Sequence, residues 1–439
     1  MALPRIVIVG AGFGGLAAAK ALKDTPAEII LIDRTNHHLF QPLLYQVATA
    51  VLTPSQIATP IRSILRNQIN ITVILGEVTG VDKDKQCVFV TDADRENVPI
   101  THDYLVLATG ATHSYFGHNE FETFAPGLKS LADAEAARNK ILQAFELAEA
   151  EEDPSRHPDL LTFILVGAGP TGVEMAGALA VFVRTTLKTD FRRIDPASAK
   201  IVLVDMAPRI LSPFSEDLSK AAKQRLERLG VEVRLGHSVD QIDANGVVVG
   251  GERIASKTVI WTAGVAPSPA GKWLNVETDR AGRVRVQNDV SVPGHPEIFV
   301  VGDTGSFEEN GKPLPGVAQV AIQQGRYVGK LIHGRVIGRT STPRPFSYFD
   351  KGSMAVVGKG FAVLQSGKVR ISGFGAWLTW AAVHLQFLAT SSLRLAVFLQ
   401  WIWTYVTGQR GSRLIVNHHG SEQLKKTAET SIKVAVASK

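Results

Sequence analysis

An α/β fold is predicted: two Rossmann-like dinucleotide-binding domains, then a C-terminal membrane-associating region with amphipathic helices. Three observations predict it. A strand, glycine turn, helix, strand pattern opens the chain at residues 5–33, the same pattern recurs at residues 161–205, and a tryptophan-rich apolar stretch fills residues 374–406.

In the first copy, RIVIVGAGFGGLAAAKALKDTPAEIILID, residues 6–9 are β-branched and apolar, residues 16–22 are good helix formers, and residues 28–32 return to a strand-like run. Gly10, Gly12 and Gly15 give the G-x-G-x-x-G spacing. That spacing suits a tight turn, close approach of backbone to a pyrophosphate, and close packing of helix on strand. Free N–H groups and the positive end of the helix dipole would hold the pyrophosphate. Asp33 ends the second strand, where a carboxylate can accept from a ribose hydroxyl. Which dinucleotide the unit holds is not written in it.

At 439 residues the chain is long for one core, so two or three domains are expected. Hydrophobic residues at 45% and charged ones at 20% describe a globular protein, with disorder expected only over the last fifteen or so residues. A first strand beginning at Ile6 leaves no room for a signal or transit peptide, which places the chain in the cytoplasm or at its membrane face. Cys87 is the single cysteine, so neither an internal disulfide nor a cysteine-pair redox centre is available. No metal site is expected.

Strand-like runs follow at residues 71–75 and 87–91, and residues 104–108 read as a buried strand meeting the turn Thr109-Gly110. There the chain is expected to leave the first domain. Ser130 and Asp133 form a capping-box pattern opening a helix to about residue 150. The second copy then carries Gly167, Gly169 and Gly172, beginning 157 residues after Gly10, with Asp205 closing its second strand. Gly172 and Asp205 are 33 residues apart, and residues 182–199 look like an extension. Two such motifs, each in its own βαβ unit, argue for two dinucleotide sites in one protein.

Strands at residues 231–235, 246–249 and 258–261 lead to a second glycine turn at Gly264. Residues 297–305, EIFVVGDTG, are a buried strand. If the chain rejoins its first domain there, Asp303 stands at the edge of the sheet where ligands bind and can accept from a ribitol hydroxyl. Residues 316–334 are expected to be helical. The domains predicted are 1–112 with 290–345, then 113–289, then 346–439.

Each half of residues 374–406 is too short to span a bilayer of about 30 Å, and Ser391, Ser392 and Arg394 interrupt the run. Four of the six tryptophans, Trp377, Trp380, Trp401 and Trp403, fall here, and tryptophan prefers the membrane interface. From residue 408 onward Arg410, Arg413, Lys425, Lys426, Lys433 and Lys439 outnumber Glu422 and Glu429. Beside apolar helices, such a tail points to a lipid bilayer surface rather than nucleic acid. Closure of a core or of a homodimer by the same helices stays open.

With GAGFGG, HHLFQPLLYQVAT, ATGATHSYFG, GAGPTGVE, VVGD and AQVAIQQG in view, the chain resembles the type II NADH dehydrogenases over residues 3 to about 416. These are single-subunit NADH:quinone oxidoreductases of the two-dinucleotide-binding flavoprotein superfamily. The glycine motifs are shared by the whole superfamily; Ala-Gln-x-Ala-x-Gln is the specific part. The resemblance implies FAD in the first domain, on Gly10, Gly12, Gly15, Asp33, Gln41, Thr109, Gly110, Asp303, Ala318 and Gln319. It implies NADH in the second, on Gly167, Gly169, Gly172, Glu174, Asp205 and Gly264, and a membrane quinone against Gln319, Ala321, Ile322, Gln323 and His384.

Chemistry supports parts of this. A carboxylate at Asp205 favours the free 2′-hydroxyl of NADH and repels the 2′-phosphate of NADPH, although Arg209 lies close in sequence. Gln319 and Gln323 are four apart and share a helix face, and an amide can bond a quinone carbonyl. Small Ala318, Ala321 and Gly325 would let a flat ring approach; spacing alone would favour a solvated face, and the resemblance reverses that. Glu174 follows Gly172 by two residues and could relay a proton, orient the nicotinamide, or only cap the helix.

The lone cysteine argues against disulfide and sulfide:quinone reductase chemistry. Quinone, oxygen or an iron–sulfur partner remain as acceptors, and the resemblance implies non-proton-pumping NADH:quinone oxidoreduction at the cytoplasmic face of the cell membrane, by a peripheral, monotopic enzyme. A soluble FAD-dependent NAD(P)H reductase feeding a carrier protein or oxygen is the alternative, and a flavin-binding protein that dimerises through its C-terminal helices is a third.

Overall fold

The computed structural model describes residues 3–339 and 344–416. It opens with β1 (Arg5–Val9), α1 (Phe13–Ala21) and β2 (Glu28–Asp33), continuing through the short helix α2 (Leu44–Ala48) to β3 (Ile71–Leu75) and β4 (Tyr104–Leu107). β1 runs parallel to β2 and β4, with Ile6 opposite both Ile29 and Tyr104. Residues 6–9 are all buried, as a strand covered on both faces demands; hence a continuous apolar run rather than an alternating one.

The chain leaves this sheet through β5 (Ala111–His113) and enters α3 (Leu131–Ala150) at Ser130 and Asp133, whose side chains accept from each other's backbone N–H. β6 (Thr162–Val166), α4 (Pro170–Val181), β7 (Lys200–Asp205), β8 (Val231–Leu235) and β9 (Thr258–Trp261) build a second parallel sheet, in the order β8-β7-β6-β9. The extension after α4 begins as a π-helical turn, Phe182–Thr186. β10 (Val265–Pro267) pairs antiparallel with β5. The turns at Gly110 and Gly264, each following a parallel strand of its sheet, thus feed one two-stranded link between the sheets.

β11 (Ser291–Val292) and β12 (His295–Val300) then complete the first sheet, in the order β11-β12-β4-β1-β2-β3, with Ile298 opposite Leu105. α5 (Ala318–Val336) lies along α1, so close that a Cβ on Gly325 would stand 2.1 Å from the carbonyl oxygen of Gly14. The antiparallel strands β13 (Ser353–Val356), β14 (Ala362–Ser366) and β15 (Val369–Gly373) lead into α6 (Phe374–Phe387) and α7 (Ser391–Thr407).

The C-terminal region shares the largest core. Ala376, Trp380, Leu388 and Val397 are buried in one cluster with residues of α2, α3 and α4. Leu395, Phe398, Leu399, Ile402 and Trp403 of α7 instead remain 46–60% exposed. Among the described residues, no helix is long and apolar enough to cross a membrane. The expected basic tail loses two members. Arg410 is buried and donates to the carbonyls of Thr49 and Ala178, and Arg413 pairs with Asp190. Lys425, Lys426, Lys433 and Lys439, and the terminal residues expected to be disordered, lie outside the described residues.

Candidate active site

The two glycine loops are built alike. Gly10 has φ +97° and a Cβ there would lie 2.4 Å from the carbonyl oxygen of Ala108; at Gly15 it would lie 1.7 Å from that of Gly10. In the second copy Gly167 has φ +107°, and a Cβ on Gly172 would meet the carbonyl oxygen of Gly167 at 1.8 Å. A Cβ on the middle glycine of each set, Gly12 or Gly169, would meet nothing within 4 Å. Packing thus dictates the outer glycines, and the middle ones border open space at a helix N-terminus that no side chain among the described residues caps. Space and unclaimed N–H groups fit a pyrophosphate on each loop.

Asp33 and Asp205 brace these loops. Asp33 accepts from the N–H of Ala11 at 2.6 Å and of Thr35 at 2.7 Å; Asp205 accepts from Ala168 and Ala207. The sequence reading gave these acids only a ribose to hold. Their four lone-pair directions leave room for it as well. Thr304 Oγ1 donates to the carbonyl of Gly110 at 3.0 Å and sits 3.2 Å from Thr109 Oγ1, so Thr109, Gly110 and Asp303 are gathered at one edge of the first sheet. Asp303 also neighbours the N-terminal approach to α5, because a Cβ on Gly316 would lie 3.1 Å from its Oδ1. Gln41 is on the surface, donating to the carbonyl of Lys129. Gly264 closes β9 and is packed under Phe116.

On α5 the structure separates the glutamines. Gln319, near the half-buried Ala318 at the N-terminus, makes no side-chain hydrogen bond to the described residues. Gln323 is fully engaged. Its Nε2 donates to the carbonyl of Phe349 and its Oε1 accepts from the N–H of Phe349, both at 3.0 Å. Gln324, which the sequence reading passed over, is buried and accepts from the N–H of Gly302 at 2.8 Å, tying α5 to the strand end beside Asp303. The small residues also have another reason than a flat ligand. Ala321 packs over Gly14 and Gly302, and Gly325 over Gly14, because two helix backbones meet there. Ile322 is half-buried.

Glu174 is no helix cap. It sits in the second turn of α4, buried, and accepts from the N–H of Val356 on β13 at 3.2 Å. Burial pushes its carboxyl up to about 8, against the opposing pull of that N–H, so it is protonated at neutral pH. It lines a cavity of about 140 Å³ together with Tyr45 and Gln46 of α2, Trp380 of α6, Trp401 of α7, and Arg410. Burial raises the Tyr45 phenol well above its ordinary value, helped by the neighbouring Glu174 carboxyl, and lowers Arg410 to about 9.

His384 lies beside this cavity. Its ring stacks on Trp380 at 4.4 Å, meets Phe40 edge-on, and its Nδ1 is 2.8 Å from the carbonyl of Trp380. Burial lowers it to about 4, so it is neutral. Phe40 in turn meets Phe13 of the first glycine loop at 5.9 Å, which links that loop by aromatic contacts to the C-terminal helices. Cys87 is buried and free.

Residues 4–325 match the family model of the pyridine nucleotide-disulphide oxidoreductases. The chain is 47% identical over 423 residues to the type II NADH:quinone oxidoreductase Ndh of Mycobacterium tuberculosis, spanning 94% of this chain and 90% of that protein. This chain belongs to the type II NADH:quinone oxidoreductase family. NdhA of the same organism is 45% identical over 425 residues, with 94% of this chain and 89% of that protein covered. Among solved structures, NDH2 from Plasmodium falciparum in complex with NADH has the same fold, at a TM-score of 0.85 and 19% identity, covering 94% of this chain and all of that one.

Proposed function

We propose that this protein oxidises NADH through FAD and reduces a membrane quinone. The observation that carries the reading is the pair of glycine loops, each with an open middle glycine and a braced carboxylate, on two parallel sheets joined by one link, in a chain of this family. FAD belongs to the first loop, with Gly10, Gly12, Gly15, Asp33 and Asp303, and NADH to the second, with Gly167, Gly169, Gly172 and Asp205. When bound, the flavin accepts a hydride from the nicotinamide and passes two electrons on. The protein's share is positioning and proton supply.

Glu174 is the acid best suited to that supply, since it holds a proton at neutral pH. Gln319, whose amide makes no hydrogen bond to the described residues, offers it to the quinone beside Ala318 and Ile322. Gln323 acts through Phe349, holding the segment that leads to Val356 and so to Glu174. His384, neutral and stacked, shapes the wall of the quinone region. The exposed apolar strip of α7 is the surface on which the enzyme lies, at the cytoplasmic face of the membrane. Steady-state NADH oxidation tests the reading: a soluble quinone should raise the rate far above that with oxygen, and equal rates would overturn it.

A further inference from the structure

The side chains between α2 and α7 settle each other's orientation. The indole Nε1 of Trp401 can only donate, and it lies 2.7 Å from one amide end of Gln46, which is therefore the oxygen. The other end, the NH₂, can only donate as well, and it lies 2.9 Å from the Tyr45 hydroxyl. Tyr45 is thus the acceptor of that bond. Its own proton is left to point elsewhere, and Tyr45 is a wall of the cavity that holds Glu174.

The lining and the size of the cavity say what it admits. Tyr45, Trp377, Trp380, Trp401 and Tyr405 give its wall five aromatic side chains. A volume of about 140 Å³ matches apolar cavities known to admit one benzene ring, of about 150 Å³. Aromatic walls and the hydroxyl proton of Tyr45 suit a planar ring carrying a carbonyl oxygen.

We infer that Tyr45 is a substrate-contacting residue of the quinone step, donating its hydroxyl proton as a hydrogen bond to a quinone carbonyl oxygen, and that Gln46 and Trp401 are the positioning residues that hold it as a donor. The inference rests on the quinone reading above. It adds a route by which α7, whose outer face is the apolar strip, reaches the reacting ring: Trp401 to Gln46 to Tyr45. Tyr45 keeps its proton throughout and only orients and polarises the carbonyl, so no oxidant or reductant beyond NADH is called for.

The test is a double-mutant cycle on the FAD-loaded enzyme, with ubiquinone carrying one isoprene unit as the probe. Calorimetry reads its binding, and stopped-flow absorbance reads flavin reoxidation. Tyr45→Phe should weaken binding about tenfold, the worth of one hydrogen bond to a neutral acceptor. Trp401→Phe, which frees the Gln46 amide to turn over, should weaken it about fivefold in the wild-type background and less than twofold when Tyr45 is already Phe. Equal effects of Trp401→Phe in both backgrounds, or unchanged binding in Tyr45→Phe, would overturn the inference while leaving quinone reduction in place. Failure of the unsubstituted enzyme to bind the probe or be reoxidised by it would sink the quinone reading itself.

Discussion

Replacing Glu174 by Gln should stabilise the protein, and by an amount that grows with pH. In the folded chain the carboxyl titrates at about 8; in the unfolded chain it returns to its ordinary value of 4.5. Below 4.5 both states hold the proton and the group adds no pH dependence. As pH rises from there, the unfolded chain releases the proton first, so stability falls by about 1.4 kcal/mol per pH unit until the folded carboxyl also ionises near 8. At pH 7 the accumulated loss is on the order of 3 kcal/mol. The glutamine side chain of Glu174→Gln would not titrate, and its amide oxygen can still accept from the N–H of Val356. The assay is the difference in apparent Tm between Glu174→Gln and wild type, both FAD-loaded, measured from pH 5 to pH 9. Taking the difference cancels the other titrating groups. It should climb by several degrees between pH 5 and 8 and then level off. A flat difference would refute the burial argument and with it the idea that Glu174 is a neutral acid at working pH.

The glycine loops separate packing from binding: Gly15→Ala should prevent stable folding, since its Cβ would overlap the carbonyl of Gly10, whereas Gly12→Ala should fold yet retain little FAD, as flavin absorbance of the purified protein would report. Asp205→Asn removes the charge that repels a 2′-phosphate, so the preference for NADH over NADPH in kcat/KM should fall about tenfold, the worth of roughly 1.4 kcal/mol. Polar replacement of Leu395, Phe398, Leu399, Ile402 and Trp403 together should release the enzyme from anionic vesicles in a flotation assay with FAD retained, because these side chains are exposed. Truncation at Phe374 is the poorer experiment, since it would strip Ala376, Trp380 and Val397 from the core.

The fold was legible because its signals are local. Short apolar, β-branched runs such as residues 6–9 and 162–166, each ending at a glycine set where a strand must turn tightly into a helix, read as strands buried on both faces. Gly110 and Gly264 were recognisable as turns; that their following strands pair with each other was not, because pairing across 150 residues leaves no local trace. The site was legible in its residue types and less so in their partners. Spacing placed Gln319 and Gln323 on one helix face, but nothing in the sequence announces that the backbone of Phe349 occupies Gln323, or that Gln324 is the amide turned inward. Ala321 and Gly325 looked like space for a ring and proved to be a helix crossing. Arg410 counted as one charge in a basic tail, although it is buried against α2 and α4. Tyr45 lay inside a motif that carried only the family resemblance; the donor and acceptor order set by Trp401 is what gives it a direction.

One measurement bears most directly on the central claim, that electrons pass from NADH to quinone through one flavin held on the first glycine loop. In stopped flow, anaerobic enzyme is mixed with one equivalent of NADH and then with a soluble quinone. Flavin absorbance should bleach on the first mixing and return on the second, with Gly169→Ala slowing only the first step. A flavin that NADH does not reduce, or that quinone does not reoxidise, would contradict the account.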